Sequence, residues 1–278
     1  MEGDWLSEVA GLISREPAEQ VGQDKLASLI RLNAAGPITV QDVERALAFA
    51  KDAYDSDDAQ STYSWSTLAL ALLSIVMNEA TGLRGRILAA LLRGSGHAKD
   101  LEAYGHLARG AAASELADFE IARNELERAR EAYSSSRRTE QQARRVDTHL
   151  ARLELLLGNW QEAELRAEAA MHRIGPSGNK DDKGQCLLVI GHAQFEMRRL
   201  QAASDSVDQI LRSSSNSSAL QAQAYLLKAM IETDADELER ASTDCLAAMR
   251  LFQEAGNERG VRDCMELRSR IEAKRRQA

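Results

Sequence analysis

The sequence predicts an all-α protein built as a solenoid of antiparallel helix pairs, and three observations carry that expectation. First, Ala, Leu, Glu, Arg and Gln are abundant, aromatic residues make up 4%, and there are three prolines in 278 residues. Strong helix formers therefore meet few breakers, and the side chains that strands prefer are scarce. Second, apolar residues recur at helical rather than strand spacing along most of the chain. Third, from about residue 98 onward one pattern returns roughly every 40 residues, as stacked helical repeats require.

In chain order, residues 4–15 and 18–34 read as two short amphipathic helices, with Pro17 suited to the start of the second. Gly36-Pro37 is a break. Thr39 then resembles an N-cap, with Asp42 in the first turn of a helical run over 43–54. Asp55-Ser56-Asp57-Asp58 is an acidic turn. A calcium loop would need Gly and Glu where Gln60 and Ser66 stand, so the segment is read as a turn and not as a metal site. Residues 59–80 predict a strongly apolar helix carrying Trp65, Leu68, Leu72, Ile75 and Val76. Its run over 68–77 is about half of what a membrane span needs, so it is read as a buried helix. Gly82 and Gly85 flank a short basic turn, 87–92 predicts another apolar helix, and Gly94-Ser95-Gly96 marks a boundary.

Beyond that boundary, Ala122, Ala163, Ala203 and Ala241 align at spacings of 41, 40 and 38 residues. Three positions before each stands Phe119, Trp160, Leu200 or Leu238. Four after stands Leu126, Ala167, Val207 or Cys245, and seven after Ala129, Ala170, Ile210 or Ala248. Each set lies along one helical stripe. The preceding helix ends each time in a short polar turn: Asp118, Gly158-Asn159, Arg198-Arg199 and Asp234–Asp236. Each unit is thus two tightly joined helices. One pair cannot bury its apolar stripe alone, but a stack can. Residues 258–276, with Val261, Met265, Leu267 and Ile271, predict a final amphipathic helix that caps the stack.

Small residues also recur midway along the first helices, as Gly110, Ala151, Gly191 and Ala229, opposite the four alanines. Tyr225 and Leu187 fill a large position that opens the first helix, while His106 and Asp147 depart from it in the earlier units. This paired small-residue arrangement resembles the tetratricopeptide repeat over roughly residues 98–260. The length near 40 and the phrase AMRLFQEAGNERG at 248–260 are similar to the longer repeats of bacterial regulators of the MalT-like and Rap-like type. The resemblance implies a right-handed solenoid whose first helices line a concave, partner-binding groove. Carried onto this chain, that groove would present Tyr104, Arg145, Thr148, Arg152, Gln185, His192 and Gln223. Arg145, Thr148 and Arg152 share one helical face, and Arg can fork onto carboxylates, which suits an acidic or extended peptide. Trp160 is expected in the core, and His149 as a satisfied packing residue. The Lys and Asn set of the chaperone-tail clamp is missing from the first three units, and the basic groove of pentatricopeptide RNA readers is missing too.

The net charge is −8, of which residues 1–60 carry −7. An acidic chain is a poor match to nucleic acid, whose binding rests on phosphate neutralisation. The basic stretch 268–276 is read as a solvated helix end where the dipole favours cations. Opposite charges suggest that the acidic N-terminal helices dock on the array's own groove. There is no CxxC, and the acidic N-terminus lacks the basic start and apolar run of a signal peptide, so a cytoplasmic location is expected. A catalytic constellation is also missing. His97, His106, His149, His172 and His192 form no HxxxH or HExxH pair, none sits at zinc spacing from a cysteine, and there is no GxSxG, GxGxxG or phosphate-loop ending. Cys186 and Cys245 fall on helical stripes as small buried apolar residues.

Four segments are expected: an acidic helical segment over 1–57, an apolar connecting segment over 58–96, a repeat array over 97–257 and a capping helix over 258–278. The function expected is a non-catalytic adaptor or regulatory scaffold with no cofactor and no metal, binding a protein or peptide in the groove, off the membrane and without nucleic acid. A ligand-sensing signalling regulator and a self-assembling structural protein are the rival readings.

Overall fold

The structure, a computed structural model, describes residues 5–15, 23–34, 36–56, 58–78, 90, 92, 95–134, 140–175, 178–213 and 217–277. Among them are thirteen α-helices and no strand. They are α1 (Trp5–Ile13), α2 (Gln23–Asn33), α3 (Val40–Asp55), α4 (Ala59–Asn78), α5 (His97–Glu115), α6 (Phe119–Ser134) and α7 (Glu140–Leu156). After these come α8 (Trp160–Ile174), α9 (Lys180–Glu196), α10 (Leu200–Leu211), α11 (Ser218–Asp234), α12 (Leu238–Glu254) and α13 (Glu258–Arg275). The chain divides into two compact units, Met1–Val146 and Asp147–Ala278. The expected start of the second helix at 18–22, the helix over 87–92 except residues 90 and 92, and the Gly94 boundary lie outside the described residues.

In the first unit the long helix α4 is the hub. Leu68, Leu72 and Ile75 share one core with Leu6, Val9 and Ile13 of α1, Leu26 and Ile30 of α2, and Val43 and Leu47 of α3. The apolar faces of the three N-terminal helices are therefore committed to α4. At the start of α3, the Thr39 N–H and hydroxyl both donate to the Asp42 carboxylate at 2.8 Å, so the cap forms as its sequence implies. The unit ends in the α5–α6 pair. There Gly110 lets α6 come close, since a Cβ at this position would lie 2.8 Å from Leu126 Cγ.

The second unit is a stack of helix pairs. Ala151, Ala163 and Ala167 pack with Val189, Ile190 and Ala193. Ala203, Val207 and Ile210 pack with Leu220 and Leu227, and Ala241, Cys245 and Ala248 pack with Cys264 and Ile271. All three cysteines are free and buried.

From α5 onward, five helix-to-helix connections share the same turn. Ala117, Gly158, Arg198, Asp236 and Gly256 all have φ between 60° and 76°. The next residue's N–H then reaches back to the first helix: Asp118 to Ala113 O, Asn159 to Glu154 O, Arg199 to Gln194 O, Glu237 to Glu232 O and Asn257 to Phe252 O, each at 2.8–2.9 Å. This is a Schellman-type closure, which satisfies carbonyls that a helix end leaves open. The first four left-handed residues repeat the 41, 40 and 38 spacing of the alanines. Three of the five are not glycine, although the left-handed region costs a side chain about 1–2 kcal/mol.

The basic end of α13 is not a free patch. Arg270 pairs with Asp234 at 2.7 Å, Lys274 reaches Asp236 and Thr233 O at 2.8 Å, and Arg275 pairs with Glu239 at 2.9 Å. These contacts clip the cap helix onto the α11–α12 turn. One expectation is corrected: Trp160 is 37% exposed and not in the core. It is the first residue of α8, and the whole set it belongs to (Phe119, Leu200 and Leu238) sits at the rim of the seam, partly exposed.

Candidate functional site

The second unit holds a cavity of about 520 Å³. It arises because the first helix of each pair turns one face to the same side. Helix α7 contributes Arg152, Leu155 and Leu156; α9 contributes Gln185, Leu188, Val189, His192 and Glu196; α11 contributes Gln223 and Leu226. The α9 residues stand at i, i+3, i+4, i+7 and i+11, a single helical stripe. Gly158 and Trp160, from the turn into α8, and Asp263 of α13 complete the rim.

The wall alternates apolar and polar groups. Leu155, Leu188, Val189 and Leu226 give an apolar surface, extended at the rim by the exposed Leu156 and Trp160. Gln185 and Gln223 offer amides that both donate and accept. Burial, and then the positive charge of Arg152, push the His192 imidazole down to about 4, so it is neutral at pH 7. The cavity lining carries one arginine against the two carboxylates of Glu196 and Asp263. An apolar surface with a few convergent polar groups, in a space of a few hundred Å³, is the usual form of a ligand site.

Of the seven groove residues named from the sequence, Arg152, Gln185, His192 and Gln223 line this cavity. Thr148 is in the same unit, with its hydroxyl 3.4 Å from Cys186 Sγ, a packing contact between α7 and α9. Burial raises that thiol to about 11. Tyr104 and Arg145 belong to the first unit, where Tyr104 packs against the core and burial raises its hydroxyl above the usual range. Trp160, Leu156, Glu196 and Asp263 were not anticipated. Leu156 and Glu196 stand one turn beyond Arg152 and His192, so helical spacing alone could have found them. Asp263 comes from the cap helix, which no repeat alignment places.

The fold defines the class: an all-α array of tetratricopeptide-like helix pairs. Solved structures share this architecture. The crystal structure of a Rap protein complexed with competence and sporulation factor matches with a TM-score of 0.50 at 15% identity, over 82% of this chain and 70% of that one. The apo form of RapI matches with a TM-score of 0.50 at 13% identity, over 85% and 71%. A tetratricopeptide repeat protein from Parabacteroides merdae gives a TM-score of 0.48 at 16% identity, over 97% and 99%. No protein-family model matches the chain, and no curated protein matches it by sequence. At these identities the likeness is one of fold. Among the described residues no helix is long and apolar enough to cross a membrane.

Proposed function

We propose that this chain is a non-catalytic, peptide-binding repeat scaffold that holds an extended segment of a partner in the cavity of its second unit. The observation that carries this reading is the convergence of Arg152, Gln185, His192 and Gln223 from three successive first helices around an apolar wall. The two amides, one on α9 and one on α11, can bond the backbone of an extended chain. Trp160 and Leu156 offer a bulky apolar side chain a surface, and an exposed Trp is a frequent energetic anchor in recognition. Arg152 takes a carboxylate on the partner. That a similar Rap structure is complexed with competence and sporulation factor supports a ligand-holding role for such a fold.

Selection of displayed random peptides tests this. The wild type should enrich peptides that share a bulky apolar residue and a nearby acidic one. The selected peptides should lose at least about tenfold in affinity on Arg152→Glu or Trp160→Ala, since a buried anchor or charge pair accounts for roughly 1.5–3 kcal/mol. No enrichment, or peptides that bind both variants as well as the wild type, would count against the reading.

A further inference from the structure

The α12–α13 seam brings two of the three thiols together. Cys245 of α12 and Cys264 of α13 stand 19 residues apart in sequence and hydrogen-bond to one another. The Cys245 Sγ also donates to the Cys264 carbonyl oxygen at 3.2 Å. The chain between them turns tightly. Gly256 has a φ of 69°, and a Cβ at Gly260 would lie 2.5 Å from the Phe252 ring, so the start of α13 is drawn close onto α12. Cys186 is elsewhere, on α9, with its sulfur against Thr148 of α7.

Packing alone does not require this contact, because alanine fills the equivalent stripe position as Ala167 in the α7–α8 pair and valine as Val207 in the α9–α10 pair. Thiols add a covalent option. A disulfide needs Cβ atoms about 3.5–4.5 Å apart, a separation that side chains in hydrogen-bond contact across facing helices can meet by rotation about χ1. The two sulfurs are also unequal. The hydrogen bond from Cys264, helped by the charge of Arg268, holds the Cys245 thiol below its usual value against the effect of burial. The same hydrogen bond, and then burial, push Cys264 well above. Cys245 is thus the better nucleophile and Cys264 the resolving thiol.

We infer that Cys245 and Cys264 form an oxidation site, at which a hydroperoxide closes an intrachain disulfide that clasps α13 onto α12. The Cys245 thiolate attacks one oxygen of hydrogen peroxide, the O–O bond breaks, and the departing hydroxide takes up the thiol proton as water. The Cys264 sulfur then attacks the sulfenic acid on Cys245, the S–O bond breaks, and the second hydroxide leaves with the Cys264 proton. Two thiols and one peroxide give one disulfide and two waters, the two electrons passing from sulfur to oxygen. Cys245 and Cys264 are 1% and 0% exposed, so the oxidant reaches them through local opening of α13, which packs by one face and leaves Met265 54% exposed on the other. The inference is independent of the peptide reading. It bears on it because Asp263, beside Cys264, reaches the cavity rim from the clasped helix.

Peroxide treatment of the full chain without denaturant, followed by alkylation in guanidinium and peptide mass mapping, tests it. The oxidised chain should carry one alkyl group, on Cys186, and a cross-linked pair of peptides holding Cys245 and Cys264. Its melting temperature should rise by roughly 5 °C or more and return with dithiothreitol. Cys186→Ala should bridge as the wild type does. Cys264→Ser keeps a hydroxyl donor beside Cys245 but cannot resolve, so dimedone should trap the sulfenic acid on Cys245. Three alkylated cysteines after peroxide, a bridge to Cys186 or to a second chain, a bridge that does not raise the melting temperature, or an unlabelled Cys245 in Cys264→Ser would overturn the inference.

Discussion

Two helix-pair seams in the second unit share one backbone register and differ in how they treat a buried polar residue. Four positions before the left-handed turn residue stands Gln194 in the α9–α10 pair and Glu232 in the α11–α12 pair. Eight positions after it stand Ser206 and Asp244. In the first seam the slot is satisfied: Ser206 Oγ donates to Gln194 Oε1 at 3.0 Å, and Gln194 Nε2 donates to Glu164 at 2.9 Å. In the second, two acids meet. Glu232 is 8% exposed, shares a hydrogen bond with Asp244, and leaves its Oε2 without a partner. The α7–α8 pair resolves the same slot by a third route, with Glu154 facing Arg166 at 4.0 Å and accepting from Asn159 at 2.9 Å. A repeat fixes where a polar group is buried. It leaves open whether the partner is neutral, opposite or like in charge.

The comparison can be broken most strongly by pH. Burial, and then the like charge of Asp244, raise Glu232 to about 7, and burial raises Asp244 as well. Lys228, 3.0 Å from Asp208 and 3.9 Å from Asp244, opposes this, while Glu237 and Arg240 act from the turn. Glu232 is thus an acid whose folded value lies above its unfolded value near 4.5. Its contribution to stability is complete below the unfolded value and is lost as pH rises through about 7. Thermal melts should show the second unit losing on the order of 2–3 kcal/mol between pH 5 and 8. In Glu232→Gln this loss should vanish, with a higher melting temperature at pH 8. A flat wild-type profile would remove the distinction between the two seams.

A smaller effect tests the neutral seam. Ser206→Ala leaves the Gln194 carbonyl oxygen without its donor, at a cost of about 1–2 kcal/mol that should not depend on pH between 5 and 8. Smallest is the turn itself. Ala117→Gly, at an exposed left-handed residue, should stabilise the α5–α6 pair by up to about 1 kcal/mol, the left-handed strain relieved exceeding the added freedom of the unfolded chain. The same exchange at Asp236 would also remove the Lys274 ion pair, so it should gain less.

Most of the repeat was legible because sterics enforce it. Gly110 and Gly191 can be read from the sequence alone, since only small residues let paired helices approach, and the same spacing locates the left-handed turns. Four cavity residues were legible for the same reason: once the seam is fixed, the remaining face of α7, α9 and α11 follows from helical periodicity. Trp160 was misread because bulk and apolarity suggest burial, whereas its place at the first residue of α8 leaves it on the rim. Asp263 and the Cys245–Cys264 contact were not legible. Both arise from the docking of the cap helix α13, and no repeat spacing places that helix on the stack. The basic 268–276 stretch was placed on a helix end, but its acidic partners, 36–38 residues earlier in the pairs of Arg270, Lys274 and Arg275, emerge only when α13 is docked.

The central claim is that the second unit's cavity holds an extended peptide beside Trp160. The chain has three tryptophans, and replacing Trp5 and Trp65 with Phe leaves Trp160 as the single reporter, at the cavity rim. Titrating that variant with a display-selected peptide should shift and enhance the Trp160 emission as water is excluded from the indole, saturating at one peptide per chain. A peptide that binds with the same affinity while the Trp160 emission stays unchanged would contradict the assignment of the cavity as the binding site.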